Sequence, residues 1–503
     1  MPKQDRVPWL DRVIGWFSPQ AEYNRMVWRM ASDAVRSYDA GSHSRLNASW
    51  TPFNAAAEQE DRYNRDTIRA RSRDLEKNSD VAGAIISAYR RNVVGRGFSL
   101  QAKTGDTELN DRIEALWGEW CRQRNCDVTG VQSFTQMLRM CVQRKKVDGG
   151  ILLLKRFTGE GILPFQLQAV EVDELDTSQN RPHTKGNLVV GGVEYTPSRR
   201  PAGYHLRQYD VNGYQLEKGV FLPAKDAIFY FSKRRPSQTR EMSDFAQTIT
   251  RIRDANAFLE AVSVKERIAA CLSIFIKRSI PAGSFGRGGA APERESYEGK
   301  TLAPGMIKEL NAGDDIQVVD PKNAAADATA LLKLQQRMIG AGQGLSYEAA
   351  SRDMSETNYS SARQGLIEDG LTYAEEIELL QETVMDEVYE TFLISAVLAG
   401  KLDIPDFWQE KRRYMAHYWV AAPKPWIDPV KEANANRIAL QSGQMTFQQI
   451  AAAGGRDWKQ QIDDTAEVLA YGREKGIELG GVLFGKDIDQ LYPEQRHEQS
   501  EEP

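Results

Sequence analysis

Apolar positions first recur at helical spacing. Ala82, Ile85, Ile86 and Tyr89 fall three and four apart within a segment running from Asp61 to about Val94, which places them on one face of a helix. Gly95 and Gly97 stop that pattern, and Phe98 to Gln101 opens a strand. Further helices are expected over Ile113–Trp120 and Phe134–Lys146. Beyond Gly149-Gly150 the period changes. Ile151–Phe157, Phe165–Val170, Leu188–Val190, Gly203–Leu206 and Ala227–Phe231 read as strands, parted by turns rich in Gly, Pro and Asn.

Ser243-Asp244 is suited to cap a helix, and Ala246, Ile249, Ile252, Ala255, Leu259 and Val262 then line one face of a long one. Arg278–Lys300 follows, with Gly283, Gly286, Gly288 and Gly289 set among charges and the stretch bracketed by Pro281, Pro292 and Pro304, which reads as a loop excursion. A small strand pair is expected at Met306–Leu310 and Ile316–Val319. Ala325–Ile339 is helical. Leu366, Ile367, Leu371, Ala374, Ile377 and Leu380 mark a further long helix reaching towards Val397. Lys431–Gln441 and Thr446–Ala453 read as a helix pair joined at Ser442-Gly443. Residues 1–60 lack sustained periodicity, and the acidic tail from Leu491 has the composition of a disordered segment.

Composition narrows the function classes. Apolar residues make up 41% of 503, ordinary for a globular protein and enough for several cores. The 65 basic and 70 acidic residues leave a net charge of −5, which argues against a protein that coats nucleic acid electrostatically. It does not argue against one that lets nucleic acid slide past. No apolar run approaches the length of a membrane helix and the N-terminus has no signal-peptide core, so no membrane contact is expected and a cytosolic or cytosol-built setting is. Cys121, Cys126, Cys141 and Cys271 lack zinc spacing and are expected as reduced, half-buried thiols.

Familiar catalytic arrangements are missing. No glycine loop ends in Lys-Ser or Lys-Thr, and Gly95-Arg96-Gly97 lacks the strand-to-helix setting of a phosphate site. His43, His183, His205, His417 and His497 are scattered, and no serine sits in a nucleophile elbow. Asp314-Asp315 and Asp463-Asp464 are adjacent acidic pairs that read as solvated surface. Neither a catalytic residue, a cofactor nor a metal is expected.

One motif stands apart. Gly340-Ala341-Gly342-Gln343-Gly344 puts three glycines in five residues between two helical patterns, and Leu345 to Ser361 follows as a polar loop. A helix interior disfavours each glycine by roughly 1 kcal/mol relative to alanine. On its own the motif reads as a hinge.

This stretch through Asn358-Tyr359-Ser360-Ser361 resembles the portal proteins of lambda-like tailed bacteriophages. The likeness spans roughly residues 60–450. Arg71–Leu75 with Asn78, and Asn92–Phe98, are similar to that family's early helix and turn. Pro223–Asp226 with Arg235–Arg240 is similar to its strand leading into a long helix, and Asp428–Ala433 to its late signature. One position departs: relatives carry Arg-Gly where this chain has Arg240-Glu241.

The resemblance implies an α+β portal fold with an α/β wing, helical stem, small α/β clip and helical crown, assembled into a ring that is typically twelvefold. Its parts would be an N-terminal arm (1–60), wing (61–240), stem helix (241–268), clip (269–324), second stem helix (325–344), tunnel loop (345–357), long helix and wing return (358–429), crown (430–490) and acidic tail (491–503). It implies a conduit for packaging and ejecting double-stranded DNA at a capsid vertex, assembled in the host cytoplasm. The implied partners are the terminase large subunit, head-completion or neck proteins, and major capsid and scaffold proteins. Other readings are an adaptor or scaffold of another ring, or an unrecognised α/β hydrolase.

Site residues follow from that placement. Leu345, Ser346, Tyr347, Glu348 and Met354 would belong to the tunnel loop, whose glycines would let it move. Lys333 and Arg337, four apart on one helix face, either touch phosphates or pair with a carboxylate of the neighbouring subunit. Arg352 either meets DNA or pairs locally with Asp353, Glu348 or Glu356. Lys277, Arg278, Arg287, Arg294 and Lys300 in the clip either face an acidic motor surface or are simply solvated. A ring of twelve would carry roughly −60, which suits passage without gripping, because each neutralised phosphate adds affinity.

Overall fold

Ser79 ends one helix and starts the next. In the computed structural model, which describes residues 54–210, 212–216, 219–271, 275–278, 314–317, 324–421 and 429–477 with Trp16, Ser18 and Gln20, the chain divides into residues 1–60 and 61–503. The second unit opens with α1 (Arg65–Asn78), whose last turn gives way at Ser79. That residue's hydroxyl accepts the Ala82 amide and nucleates α2 (Asp80–Tyr89). The single helix expected from Asp61 to Val94 is therefore two, prolonged by a π-helical turn at Arg90–Val94 and closed where Gly95 and Gly97 adopt positive φ.

β1 (Phe98–Ala102) is followed by α3 (Thr107–Trp120), capped by Asp106, and by α4 (Phe134–Asp148), which starts in a reciprocal Ser133–Gln136 capping box. α4 ends on Gly149 at φ 94°, against the backbone of Met242, where no Cβ fits. The chain then enters β2 (Gly150–Phe157), the central strand of an antiparallel sheet between β3 (Phe165–Val170) and β8 (Ala227–Phe231). Between those two, β4 (Leu188–Val190), β5 (Val193–Tyr195), β6 (Pro201–Leu206) and β7 (Val220–Pro223) form an antiparallel meander.

β2 buries both faces, which explains its unbroken apolar run. Ile151 and Leu153 enter the main core, and Leu152 and Leu154 enter a second one with Val170, Val193, Tyr204 and Leu206. Trp117 sits at the centre of the main core, with ring centroids 5.0 Å from Phe392, 5.2 Å from Trp120 and 5.5 Å from Trp419. Cys126 and Cys141 are buried thiols pushed up to about 12 by that burial.

The long helix α5 (Ile249–Cys271) begins later than Ser243-Asp244 implied. Those two residues are buried: the Ser243 hydroxyl accepts the Phe245 amide and donates to the Lys146 carbonyl, and Asp244 faces cations. The departure at Arg240-Glu241 is also buried, as a two-pronged ion pair of 2.7 and 2.9 Å, with Arg65 Nε donating to the Glu241 carbonyl at 3.1 Å.

β9 (Phe275–Arg278) pairs antiparallel with β10 (Asp314–Gln317). β10 overlaps the strand expected at Ile316–Val319, and its partner among the described residues is β9; Met306–Leu310 lies outside them.

α6 (Ala324–Gly342), the short α7 (Tyr347–Ser351) and α8 (Tyr359–Leu380) follow. A π-helical turn at Gln381–Met385 joins α8 to α9 (Asp386–Leu398), so the expected long helix does reach Val397. β11 (His417–Ala421) returns to pair with β1, Phe98 opposite Ala421. The last elements are α10 (Pro429–Gln441), α11 (Phe447–Ala453), opened by a Thr446–Gln449 capping box, and α12 (Trp458–Glu474), which periodicity did not single out. Among the described residues no helix is long and apolar enough to cross a membrane. The expected arm up to residue 53, three residues aside, and the tail from Leu491 fall outside them.

Candidate functional site

The glycine motif is a packed joint. α6 runs through Gly340 and ends at Gly342, where a Cβ would lie 2.6 Å from the Thr248 methyl. Gln343 is 5% exposed. Its Nε2 donates to the Asp244 carbonyl at 3.0 Å and to Thr248 Oγ1 at 2.9 Å, and its own carbonyl accepts the Tyr89 hydroxyl at 2.6 Å. Gly344 takes φ +68°, and its carbonyl accepts Thr372 Oγ1 at 2.8 Å. These glycines permit close approach between α6, the start of α5 and α8. The hinge expected from composition is filled with interlocking groups.

Beneath the joint lies a buried charge cluster. Lys145 Nζ is 3.1 Å from Asp244 Oδ2 and 2.7 Å from Glu376 Oε1. Lys146 Nζ is 3.2 Å from the same Asp244 oxygen and 3.6 Å above the Tyr89 ring, and Arg234 reaches Asp244 Oδ1 at 2.5 Å. Burial alone would raise the Asp244 carboxyl; Lys146, Lys145 and Arg234 outweigh it and hold the group at about 2.

The first half of the expected loop is also ordered. Ser346 caps α7: its hydroxyl accepts the Ala349 amide at 3.2 Å and donates to Asp369 Oδ2 at 2.7 Å, and its backbone amide donates to Asp369 Oδ1 at 2.6 Å. Leu345 and Ala350 are buried, and α7 packs on α2. Of the residues assigned to the loop, Leu345, Ser346, Tyr347 and Glu348 therefore build its base. Five residues are too few to declare a helical period in sequence, so α7 carries no helical signal of its own.

The open part is Arg352–Asn358. Arg352 closes α7 in the left-handed region, φ 64°, and is exposed with no ion pair among the described residues. Asp353 accepts the Tyr347 hydroxyl at 2.9 Å and the Ser355 amide at 3.0 Å. Ser355 and Tyr347 hold its carboxyl at about 2. Met354 is 62% exposed. Lys333 donates to Glu356 at 2.6 Å, a same-chain partner that spacing alone did not offer, and this contact raises the lysine. Arg337 lies 5.4 Å from the Tyr347 ring centroid. Lys333 and Arg337 thus each meet a residue of the expected loop, whereas sequence reasoning assigns no role to Gln343, Asp369, Lys145, Lys146 or Glu376. Their only sequence signal is two adjacent lysines in the last turn of α4, where one of them must fall towards the apolar face.

The clip candidates divide. Lys277 and Arg278 sit on β9, in register with Asp315 and Asp314 of β10. Arg287, Arg294 and Lys300 lie outside the described residues. Elsewhere, a groove of about 920 Å³ opens between the β1–β11 pair and α10–α11, lined by Arg96, Arg456, Phe98, Phe447 and Ile450 among others. Among the described residues no three or more His, Cys, Asp or Glu side chains are grouped to hold a metal ion.

Residues 43–376 match the family model described as phage portal protein, lambda family. A probable portal protein of Halomonas phage phiHAP-1 is 24% identical over 488 residues, 93% of each chain. Portal protein B of Escherichia phage lambda is 21% identical over 468 residues, 84% of this chain and 88% of its own length. Two solved structures of gene transfer agent particles, a native virion and an empty neck, align at TM-scores of 0.42 and 0.43 with 14% and 16% identity. They cover 77% and 78% of this chain and 93% and 94% of theirs, too loose a likeness to carry a functional argument. With the family model matching most of its length, the chain belongs to the lambda family of phage portal proteins, which are virion components.

Proposed function

We propose that this portal chain is the repeating subunit of a ring, twelvefold by family habit, that conducts double-stranded DNA into the capsid during packaging and out during ejection. The ring docks the terminase large subunit during packaging and head-completion or neck proteins afterwards, and it is held at its vertex by the major capsid and scaffold proteins. It assembles in the host cytoplasm. The chain acts without catalysis, and a separate motor supplies the energy.

The observation that carries the reading of the loop is its division into a fixed base and an open tip. Gln343 ties the base to the Asp244 carbonyl and Asp369 ties it to α8, while Arg352 and Met354 stay exposed. A segment that meets a moving duplex needs a firm mount and few strong phosphate contacts, since every neutralised phosphate adds affinity. Arg352 is the cation best placed for that duty, because Lys333 is already engaged by Glu356. Lys277 and Arg278 on β9 are the described residues we assign to motor docking, with Arg287, Arg294 and Lys300 on the same segment.

The test replaces Arg352–Glu356 with a Gly-Ser stretch of equal length. Rings should persist in negative-stain images, and nuclease-protected DNA in assembled heads should fall. Full protection would remove the tip from the mechanism, and absence of rings from wild-type protein would overturn the channel itself. Sustained phosphate release from ATP by the pure protein would overturn the non-catalytic assignment.

A further inference from the structure

Helices α6 and α8 are each two-faced. On α6, Leu332 and Ile339 pack on the core, while Leu331, Leu334 and Met338 are 42, 55 and 46% exposed. Their three- and four-residue spacing makes them one stripe, edged by the exposed Arg337. On α8, Asp369, Tyr373 and Leu380 are buried. Ile367 and Leu371, 50 and 62% exposed, form the opposite stripe with Ala374. Along it Glu368, Glu375 and Glu378 are exposed and make no ion pair among the described residues, against the single exposed Arg363 one turn before Ile367, so the net charge of its rim is negative.

Single exposed leucines need no explanation. Two aligned stripes do, because each runs about seven residues, or roughly 10 Å of helix, and an apolar strip with a charged rim is the anatomy of an interface. The rims have opposite signs. We propose that the α6 stripe of one copy docks on the α8 stripe of the next, with Arg337 facing the next copy's glutamate edge. The inference rests on the ring reading above and names the surfaces that would close it.

A second copy is the occupant the observations favour. DNA would gain nothing from leucines and would be repelled by the glutamates. The complementary stripes lie on different helices of one chain, so the contact is heterologous. A heterologous contact repeats from copy to copy and closes into a ring when the rotation allows. Arg337 then answers carboxylates of a neighbouring subunit, and phosphates are left to the loop tip.

The experiment uses two full-length variants, Leu334→Glu and Leu371→Glu, each spoiling one face. Both positions are exposed, so the far-UV circular dichroism spectra should match that of wild type, while the melts drop by the stabilisation that assembly adds; Leu334→Gln and Leu371→Gln serve if either variant misfolds. By sedimentation velocity, wild type should form rings and each variant should lose them. An equimolar mixture should give a dimer and nothing larger, because one intact α6 face and one intact α8 face remain per pair. Rings from either variant, or a mixture that stays monomeric, would overturn the assigned faces while leaving the ring standing. Wild-type protein that stays monomeric at high concentration would instead remove the ring reading.

Discussion

Ser346 is bound twice by Asp369: its amide donates to one carboxylate oxygen at 2.6 Å and its hydroxyl to the other at 2.7 Å. The two residues lie on different helices, so the pair fixes the base of the loop to α8. Burial pushes the Asp369 carboxyl up against the pull of these bonds. Removing the acceptor strands a part-buried amide, which costs about 1–3 kcal/mol. Asp369→Ala should lower stability by that amount in urea melts and speed proteolytic cleavage between Ser346 and Asn358. An unchanged cleavage rate would show that the anchor does not hold the base.

Lys145 is 1% exposed and holds two carboxylates from distant parts of the chain, Asp244 and Glu376. Taking away one partner of a buried pair leaves uncompensated charge and costs about 3–5 kcal/mol. Lys145→Met should therefore be among the most destabilising substitutions in residues 61–503. Adding Glu376→Gln should recover part of the loss, and strict additivity of the two in denaturant titrations would refute the coupling.

Acid should weaken the same cluster. The folded carboxyl of Asp244, at about 2, lies below its ordinary value of 3.8. Its contribution is thus present above pH 4 and lost as pH falls towards 2, a change of about 2 kcal/mol. Wild-type stability should drop over that window, and Asp244→Asn should flatten the drop. Equal slopes in the two proteins would exclude Asp244 as the cause.

Glu174 behaves in the opposite sense. Burial first, then Glu171 and Asp173, raise its carboxyl from 4.5 to about 7. Its contribution is present below pH 4.5 and lost as pH rises through 7. Glu174→Gln should raise the melting temperature at pH 8 and leave it nearly unchanged at pH 4. A gain of equal size at both values would count against this charge as its source.

The joint offers a steric test. An alanine at 342 meets only the Thr248 methyl within 4 Å, at 2.6 Å. Gly342→Ala should cost about 1–3 kcal/mol as overpacking. Thr248→Ser removes the methyl but keeps the hydroxyl that accepts from Gln343, so the double variant should recover most of the loss in thermal melts. No recovery would mean that Gly342 is needed for its backbone and not for space.

Local pattern made much of this fold readable. The continuous apolar run Ile151–Leu154 marks a strand buried on both faces, and the Thr446–Gln449 box opens α11 within the helix expected at Thr446–Ala453. What escaped was non-local. Lys145 meets Asp244 and Glu376 across 99 and 231 residues, a distance no spacing rule spans. Ser243-Asp244 looks like a cap because cap chemistry and buried ion pairing use the same side chains; the lysines that decide between them are far away in sequence. At the candidate site, Lys333, Arg337 and Arg352 were legible as cations near a loop. Whether each was already engaged depended on Tyr347, Asp353 and Glu356, and hence on how tightly α7 folds.

The ordered α7 leaves a short tether. Only Arg352–Asn358, seven residues, spans from the end of one helix to the cap of the next. At about 3.4 Å per residue, its apex can stand off no more than about 12 Å from the line joining its ends. On the proposed channel reading, the aperture such loops would guard is bounded by chain length, since a clearance larger than that reach cannot be bridged by any rearrangement of the tip.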